Sequence, residues 1–314
     1  MGRTVSSSAL PGSVKSGRTL SRENRNLLWG LLFTSPAIIG FFLWQLGPIL
    51  ATIGISFTEW KIVGSPAWIG FDNYIKAFTR DPLFFKAVTV TFVYTLLSVP
   101  ASIAFAFFLA VLLDQKVRFL PVFRTIFYLP SIVPFIASSY LWLWLFNPDF
   151  GLLNAILRPL GITGAKWIFA SSSVLPSLAL MSLWGVGGTM LIFLAALQGV
   201  PKELYEAVEV DGGNAWHRMR HVTIPIMTPA IFFNFVLTTI NTLQTFTQGY
   251  VMTEGGPNNA SLFYVLYLYR KAFAQSSMGY ASALAVILLV IIAVLTYIIF
   301  RTSSLWVFYE GEKA

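Results

Sequence analysis

The apolar residues of this chain are gathered into blocks about 20 residues long or longer, and that grouping constrains the fold more than any other feature. A helix of that length crosses a hydrocarbon layer roughly 30 Å thick. Hydrophobic residues make up 56% of the chain and charged residues 11%, against roughly a quarter charged in soluble domains. An ordinary soluble enzyme is therefore excluded, and the expected class is an all-α polytopic membrane protein with about six transmembrane helices. The expected spans are Leu27–Phe57, Ala87–Leu113, Thr125–Phe146, Val174–Leu197, Thr228–Met252 and Ala281–Phe300. Pro36, Gly40 and Pro48 in the first are tolerated better in a membrane helix than in a soluble one, and Pro130, Ser131 and Pro134 should distort the start of the third. Residues 1–25 are too polar for a signal peptide and read as a disordered tail. The span-bearing domain covers 26–305, and 306–314 form a second tail.

Placing the amino terminus in the cytoplasm puts about 13 of the 21 Lys and Arg residues on that side. Both termini are then cytoplasmic by the positive-inside rule. The outer segments become Thr58–Lys86, Asn147–Ser173 and Thr253–Tyr280, with Trp60, Trp68, Phe71 and Tyr74 suited to the headgroup level. A net charge of +8 needs no nucleic acid to explain it, because no dense basic run with interleaved aromatics occurs. The absence of cysteine closes disulfide and thiolate chemistry.

The most polar stretch after the tail is the cytoplasmic loop 198–227. Pro201 suits the first position of a helix and Glu203 its first turn, and that helix can run to Asp211. Gly212-Gly213 supplies a left-handed stop, and Asn214 can cap a second short helix over Ala215–His221, which Pro225 ends. Helix, sharp turn and helix make a projecting element, open to two readings: a solvated connector or a piece that fits a groove in a partner. His217 and His221 stand four apart without a third ligand of obvious spacing, so no metal site is expected.

Glu206-Ala207, then Gly212, then Val222, Ile224 and Pro225 match the spacing of the EAA motif, which reads EAA, three residues, G, nine residues, I, x, L, P. Val208, Val222 and Ile224 replace its third alanine, isoleucine and leucine. The sequence thus resembles permease subunits of binding-protein-dependent ABC importers, and in particular the carbohydrate branch of the maltose and glycerol-3-phosphate type. Further support comes from Phe71-Asp72-Asn73-Tyr74, from Phe146 to Asn154, from Leu194 to Gln198, and from Glu254-Gly255-Gly256-Pro257 with Tyr269 to Phe273. The resemblance implies a type I importer permease fold in a bacterial or archaeal cytoplasmic membrane. It also implies four partners: a second homologous permease, a cytoplasmic ABC ATPase dimer, an extracytoplasmic solute-binding protein docking on the outer segments, and a sugar or polyol substrate. The ATPase-coupling residues would be Glu206, Ala207, Asp211, Gly212, Val222, Ile224 and Pro225, with Glu206 pairing with a basic residue of the ATPase. No GxxxxGK[ST] sequence occurs, so this chain lacks a phosphate cradle. ATP and Mg are then expected on the partner ATPase, with no cofactor bound by this chain and no catalytic residue in it.

Polar groups inside spans usually face a bundle interior or cavity. In the fifth span Thr238, Asn241, Thr242, Thr245, Gln248 and Gly249 recur at helical steps, with Gln244 and Thr247 adjoining. The stripe suits either a solute route or interhelical hydrogen bonds. The resemblance places sugar contacts on this helix and around Leu183, Trp184 and Gly185. Ser138, Ser139 and Tyr140 are candidates for the same cavity, while Trp142 and Trp144 read as belt residues. The proposed spans carry no Asp, Glu, Lys or Arg deep inside them, which argues against an ion-coupled carrier. A stand-alone secondary transporter or channel is the alternative reading, and a membrane-embedded enzyme a third.

Overall fold

The computed structural model describes residues 22–115, 118–162 and 164–308. Most of the two expected tails, 1–21 and 309–314, and Lys116 of the short charged loop lie outside the described residues. By its contacts the chain divides into Met1–Ala51 and Thr52–Ala314. The first unit is one helix from Arg22, so Arg22–Arg25 are helical rather than tail. The helical run α1 (Arg22–Ser56) relaxes to π-helix over Phe41–Leu46. Pro36 stands inside it without a break. The Ser35 hydroxyl donates to the Leu32 carbonyl at 2.8 Å, the acceptor that a proline at position 36 leaves unused.

In the second unit a two-residue hairpin, β1 (Thr58–Glu59) with β2 (Ala67–Trp68), pairs antiparallel with Thr58 opposite Trp68. The short helix α2 (Asp72–Thr79) follows. The buried Asn73 amide donates to the Ser56 and Thr58 carbonyls, both at 2.9 Å. The Phe-Asp-Asn-Tyr stretch thereby fastens this outer segment to the end of α1. The longest helix of this unit is α3 (Pro82–Leu113), with Asp81 accepting from the Leu83 amide as its cap. At 32 residues it is about 48 Å long. It contributes to the two larger apolar clusters: Phe84, Ala87, Val90 and Tyr94 at one end, and Ile103, Ala106, Leu109 and Leu113 at the other.

The third expected span is two helices, α4 (Leu120–Ile132) and α5 (Phe135–Leu145), at 100° to one another. The break falls where the chain demands it. Val133 precedes Pro134 and takes an extended conformation, as the residue before a proline is pushed to do. The fourth divides more gently, by 51°, into α7 (Val174–Trp184) and α8 (Gly187–Gln198), after a one-turn helix α6 (Leu152–Leu157) in the preceding outer segment. A Cβ on Gly187 would stand 2.7 Å from the Phe127 carbonyl oxygen, so only glycine lets α4 approach the bend this closely.

After α9 (Lys202–Val210) comes a correction to the expected short cytoplasmic helix. Helix α10 runs from Ala215 to Leu243 in one piece, and Pro225 does not end it. It follows a π-helical turn, Met219–Thr223, whose wider winding accommodates a proline ring. At Pro229 the earlier device recurs, with the Thr228 hydroxyl donating to the Pro225 carbonyl at 2.6 Å. The far end also differs from expectation. The helix stops at Leu243, and Gln244 and Thr245 turn on short bonds to the Asn241 and Thr242 carbonyls at 3.2 and 3.1 Å before a π-helical segment, Gly249–Thr253. The chain closes with α11 (Tyr264–Tyr269) and α12 (Met278–Ser303). Val307 is buried and the Phe308 amide donates to the Thr228 hydroxyl at 2.8 Å, so the start of the expected second tail packs on the bundle.

Among the described residues four helices are long and apolar enough to cross a membrane, and six spans result if each bent pair is one. The first turns of α3 and α12 and the middle of α11 meet at Asp81. Its carboxylate accepts from the Tyr280 hydroxyl at 2.6 Å and from that of Tyr267, with the Lys271 ammonium at 4.0 Å. Burial alone would raise the Asp81 pKa; the two phenols, Lys271 and the Leu83 amide outweigh it and hold the carboxyl below its ordinary value.

Candidate functional site

Two regions answer to the sequence candidates, at opposite ends of α10. At the end that begins with Ala215, Pro201 is the cap of α9 rather than its first residue. The stop after Val210 is a Schellman motif: the Gly213 amide bonds the Val208 carbonyl at 2.8 Å and the Gly212 amide that of Glu209 at 3.0 Å. Gly212 has φ of +78°, and a Cβ on Gly213 would collide with Val208. Asn214 then caps α10, its Oδ1 accepting from the Trp216 and His217 amides at 3.0 and 3.1 Å, with His217 completing a capping box. His221 lies over the His217 ring with Nδ1 at 3.1 Å from the His217 carbonyl. Glu209 pairs with Arg218 and Tyr205 meets Thr223 at 3.2 Å, so α9 is clamped to the base of α10.

The motif residues separate by environment. Glu206, Ala207, Asp211 and Gly212 are exposed, as are Val210 at 87% and Trp216 at 64%. Val222 is buried, Ile224 is 39% exposed, and Pro225 is half-buried. The first half of the motif is therefore surface, and the second half roots the element in the bundle. Large apolar side chains left open beside a carboxylate on a rigid projection are what a protein-docking surface requires.

At the other end, a cavity of about 510 Å³ lies between α3, the α7–α8 bend and the end of α10. Thr238, Asn241 and Thr242 line it from α10, and Thr245 and Gln248 from the irregular segment beyond. Helical periodicity holds only as far as Leu243, yet the break keeps all five on one cavity. Gly185 joins them from the bend. Leu183 and Trp184 do not. They line a separate apolar cavity with Phe105, Leu109, Phe127 and Trp142, and the Trp184 ring packs edge-on against Trp142. Trp142 is thus a core residue and not a belt residue. Ser138 and Ser139 turn back onto the Pro134 and Phe135 carbonyls.

The sequence reading missed the α3 wall, Tyr94, Ser98 and Ser102, although their four-residue spacing in an apolar helix was a signal. Ser98 donates to Ser182 at 2.9 Å and Ser102 lies 3.1 Å from it, while Ser182 donates to the Ala179 carbonyl at 2.7 Å. This hydroxyl cluster pins the last turn of α7 to α3 just before the bend. The α10 side chains behave differently. Elsewhere in the bundle hydroxyls such as those of Thr91 and Thr95 bond back to the preceding turn, as membrane serines and threonines commonly do. Thr238, Asn241, Thr242, Thr245 and Gln248 face the cavity with no protein hydrogen-bond partner for their side chains among the described residues. Among the described residues no charged side chain lines the cavity.

Comparison with known proteins agrees with this architecture. The chain is 42% identical over 305 residues to a probable ABC transporter permease protein, YesP, of Bacillus subtilis (strain 168), covering 96% of this chain and 97% of that one. It is 33% identical over 282 residues to the lactose transport system permease protein LacF of Rhizobium radiobacter, covering 87% and 93%. A chain from the crystal structure of a bacterial ABC transporter involved in the import of the acidic polysaccharide alginate superposes with a TM-score of 0.77 at 21% identity, covering 90% of this chain and 96% of that one, and so shares the fold. Residues 84–304, which take in all but the first two residues of α3, both bends, the Glu206–Pro225 loop and the cavity, match the family described as binding-protein-dependent transport system inner membrane component. The chain belongs to that family.

Proposed function

We propose that this chain is the permease subunit of an ATP-driven importer that moves a sugar or related polyol across the cytoplasmic membrane, with both termini in the cytoplasm. A second, homologous permease completes the route, an ABC ATPase dimer that holds ATP and Mg takes the exposed Glu206–Gly212 face, and an extracytoplasmic binding protein delivers solute to the outer segments. One observation carries the solute class: the row of unpartnered hydroxyls and amides on an uncharged cavity wall. Leaving such groups dry and unpaired costs about 1–3 kcal/mol each, so they are suited to a ligand rich in hydroxyls. The lactose permease relative supports the same class. A carboxylate or phosphate on the solute would find no cation on this chain's wall.

The course of α10 supports a coupling route. Helix α10 joins the two regions directly: its base is clamped to α9, and its other end bears Thr238, Asn241 and Thr242. At 29 residues it is about 43 Å long. ATP-driven closure of the ATPase pair moves the exposed loop, and a continuous helix carries that displacement to the cavity wall. ATP shifts the equilibrium because only one of the two permease states fits the closed ATPase pair.

The test is reconstitution. Purified in mild detergent with the chains that accompany it and placed in liposomes, the complex is expected to accumulate sugar only with ATP and binding protein present. Solute movement by this chain alone, driven by an ion gradient without ATP, would establish the secondary-carrier reading instead.

A further inference from the structure

A ladder of aromatic rings leads from the cavity toward the side of the bundle away from the cytoplasmic loop. Phe246 lines the cavity and stacks on Tyr250, with ring centroids 5.1 Å apart and planes within 17°. Both rings pack on Tyr269, at 5.1 and 5.5 Å, and Tyr269 packs on Phe273 at 5.1 Å. The four come from two facing segments, each contributing a pair four residues apart: Phe246, Tyr250 and Tyr269 form one mutually packed trio at the cavity, and Phe273 extends it by one ring. The upper rungs are not core. Tyr250 is 46% exposed and Phe273 58%, whereas neighbouring rings whose role is packing, Phe263 and Tyr264, are at most 1% exposed.

We propose that this ladder is a stacking track along which sugar rings pass between the outer surface and the cavity, an inference that rests on the sugar reading of the cavity itself. A sugar ring has an apolar C–H face and a rim of hydroxyls. Its C–H face complements the negative face of an aromatic ring, while the rim needs hydrogen-bonding groups beside that ring. Phe246 stands among such groups, since Thr245, Thr247 and Gln248 line the same cavity. The nearby cations are engaged elsewhere. Arg270 donates to the Glu254 carbonyl at 2.7 Å, and Lys271 lies over Tyr267 and Tyr280 beside Asp81. The open surface of the ladder is therefore aromatic rather than ionic, which favours a neutral ring over a charged partner segment. Continuity with the cavity at Phe246 separates it from a patch that merely awaits lipid.

Because the chain has no cysteine, Tyr250→Cys and Phe273→Cys each introduce a single thiol. In the complete transporter in liposomes, with lactose and maltotriose as probes, both thiols should react with a membrane-impermeant maleimide from the outer side, and a transported sugar should slow that reaction. Phe273→Ala should lower uptake at sub-saturating sugar about two- to tenfold, the size of one aromatic contact, while Phe273→Trp retains it and maximal ATP hydrolysis is unchanged. Wild-type uptake combined with unreactive thiols, as when the second permease or lipid covers the rings, overturns the ladder alone, as does unaltered uptake by Phe273→Ala. A wild-type transporter that imports no neutral sugar or polyol from a panel that includes both probes overturns the sugar reading, and the ladder's role falls with it.

Discussion

The Glu206–Pro225 loop and the polar cavity are built on opposite plans. The loop is local: a Schellman stop, an asparagine cap and an ion pair hold α9 against α10 within fewer than 20 residues, from Tyr205 to Thr223. The cavity is assembled from α3, the α7–α8 bend and the end of α10, so that Tyr94 and Gln248 line one cavity from different elements. A local element can project as a rigid unit and be moved whole, which suits a lever. A cavity between helices changes shape when any of them shifts, which suits a gate. The difference predicts that substitutions in the loop disconnect the two ends, whereas substitutions in the cavity weaken solute handling and leave the connection intact.

The largest effect is expected from reversing the loop's exposed carboxylate. Glu206 makes no ion pair within the described residues of the chain, so Glu206→Lys should leave insertion and thermal stability unchanged. Losing a charged contact with a partner costs about 2–5 kcal/mol, enough to reduce stimulation of ATP hydrolysis by binding protein and solute tenfold or more. Stimulated hydrolysis at the wild-type level would show that the exposed face is a solvated connector after all. An intermediate effect is expected at the other end. Asn241→Ala removes one unpartnered amide from the cavity wall and should raise the sugar concentration for half-maximal uptake about fivefold, the worth of about 1 kcal/mol in one hydrogen bond. Basal ATP hydrolysis should not change. If Asn241→Ala uncouples hydrolysis from transport instead, the two regions are not separable in the way their construction suggests.

Legibility in the sequence followed the same division. The spacing from Glu206 to Pro225 announced the loop because caps and stops act over a few residues, and the Gly212 stop and Asn214 cap lie where those rules place them. The missed feature there was continuity through Pro225, since a π-helical turn leaves no composition signal. In the cavity the stripe read from Thr238 to Gly249, but periodicity is meaningful only inside an unbroken helix, and this one ends at Leu243. Thr245 and Gln248 reached the expected wall by a different backbone path. Trp184 shows what periodicity cannot provide: it neighbours Gly185 in sequence, but the 51° bend turns the two toward different cavities. Ser98 and Ser102 were overlooked because two serines in an apolar helix are common, and only the bend brings Ser182 to them.

The smallest expected effect tests that bend. The Ser182 hydroxyl joins Ser98 and Ser102, which are 2% and 7% exposed, to the final turn of α7. Ser182→Ala leaves two buried hydroxyls to find other partners, at a cost of about 1 kcal/mol, and should lower the thermal midpoint of the detergent-solubilised protein by a few degrees while reducing uptake about twofold. The diagnostic is non-additivity. If the three serines act as one pin, adding Ser98→Ala and Ser102→Ala to Ser182→Ala should destabilise far less than the sum of the single changes, because residues in one network couple. Strict additivity would mean that the bend is held by the close approach of α4 at Gly187 alone, and the serines would then be part of the cavity's lining rather than of its frame.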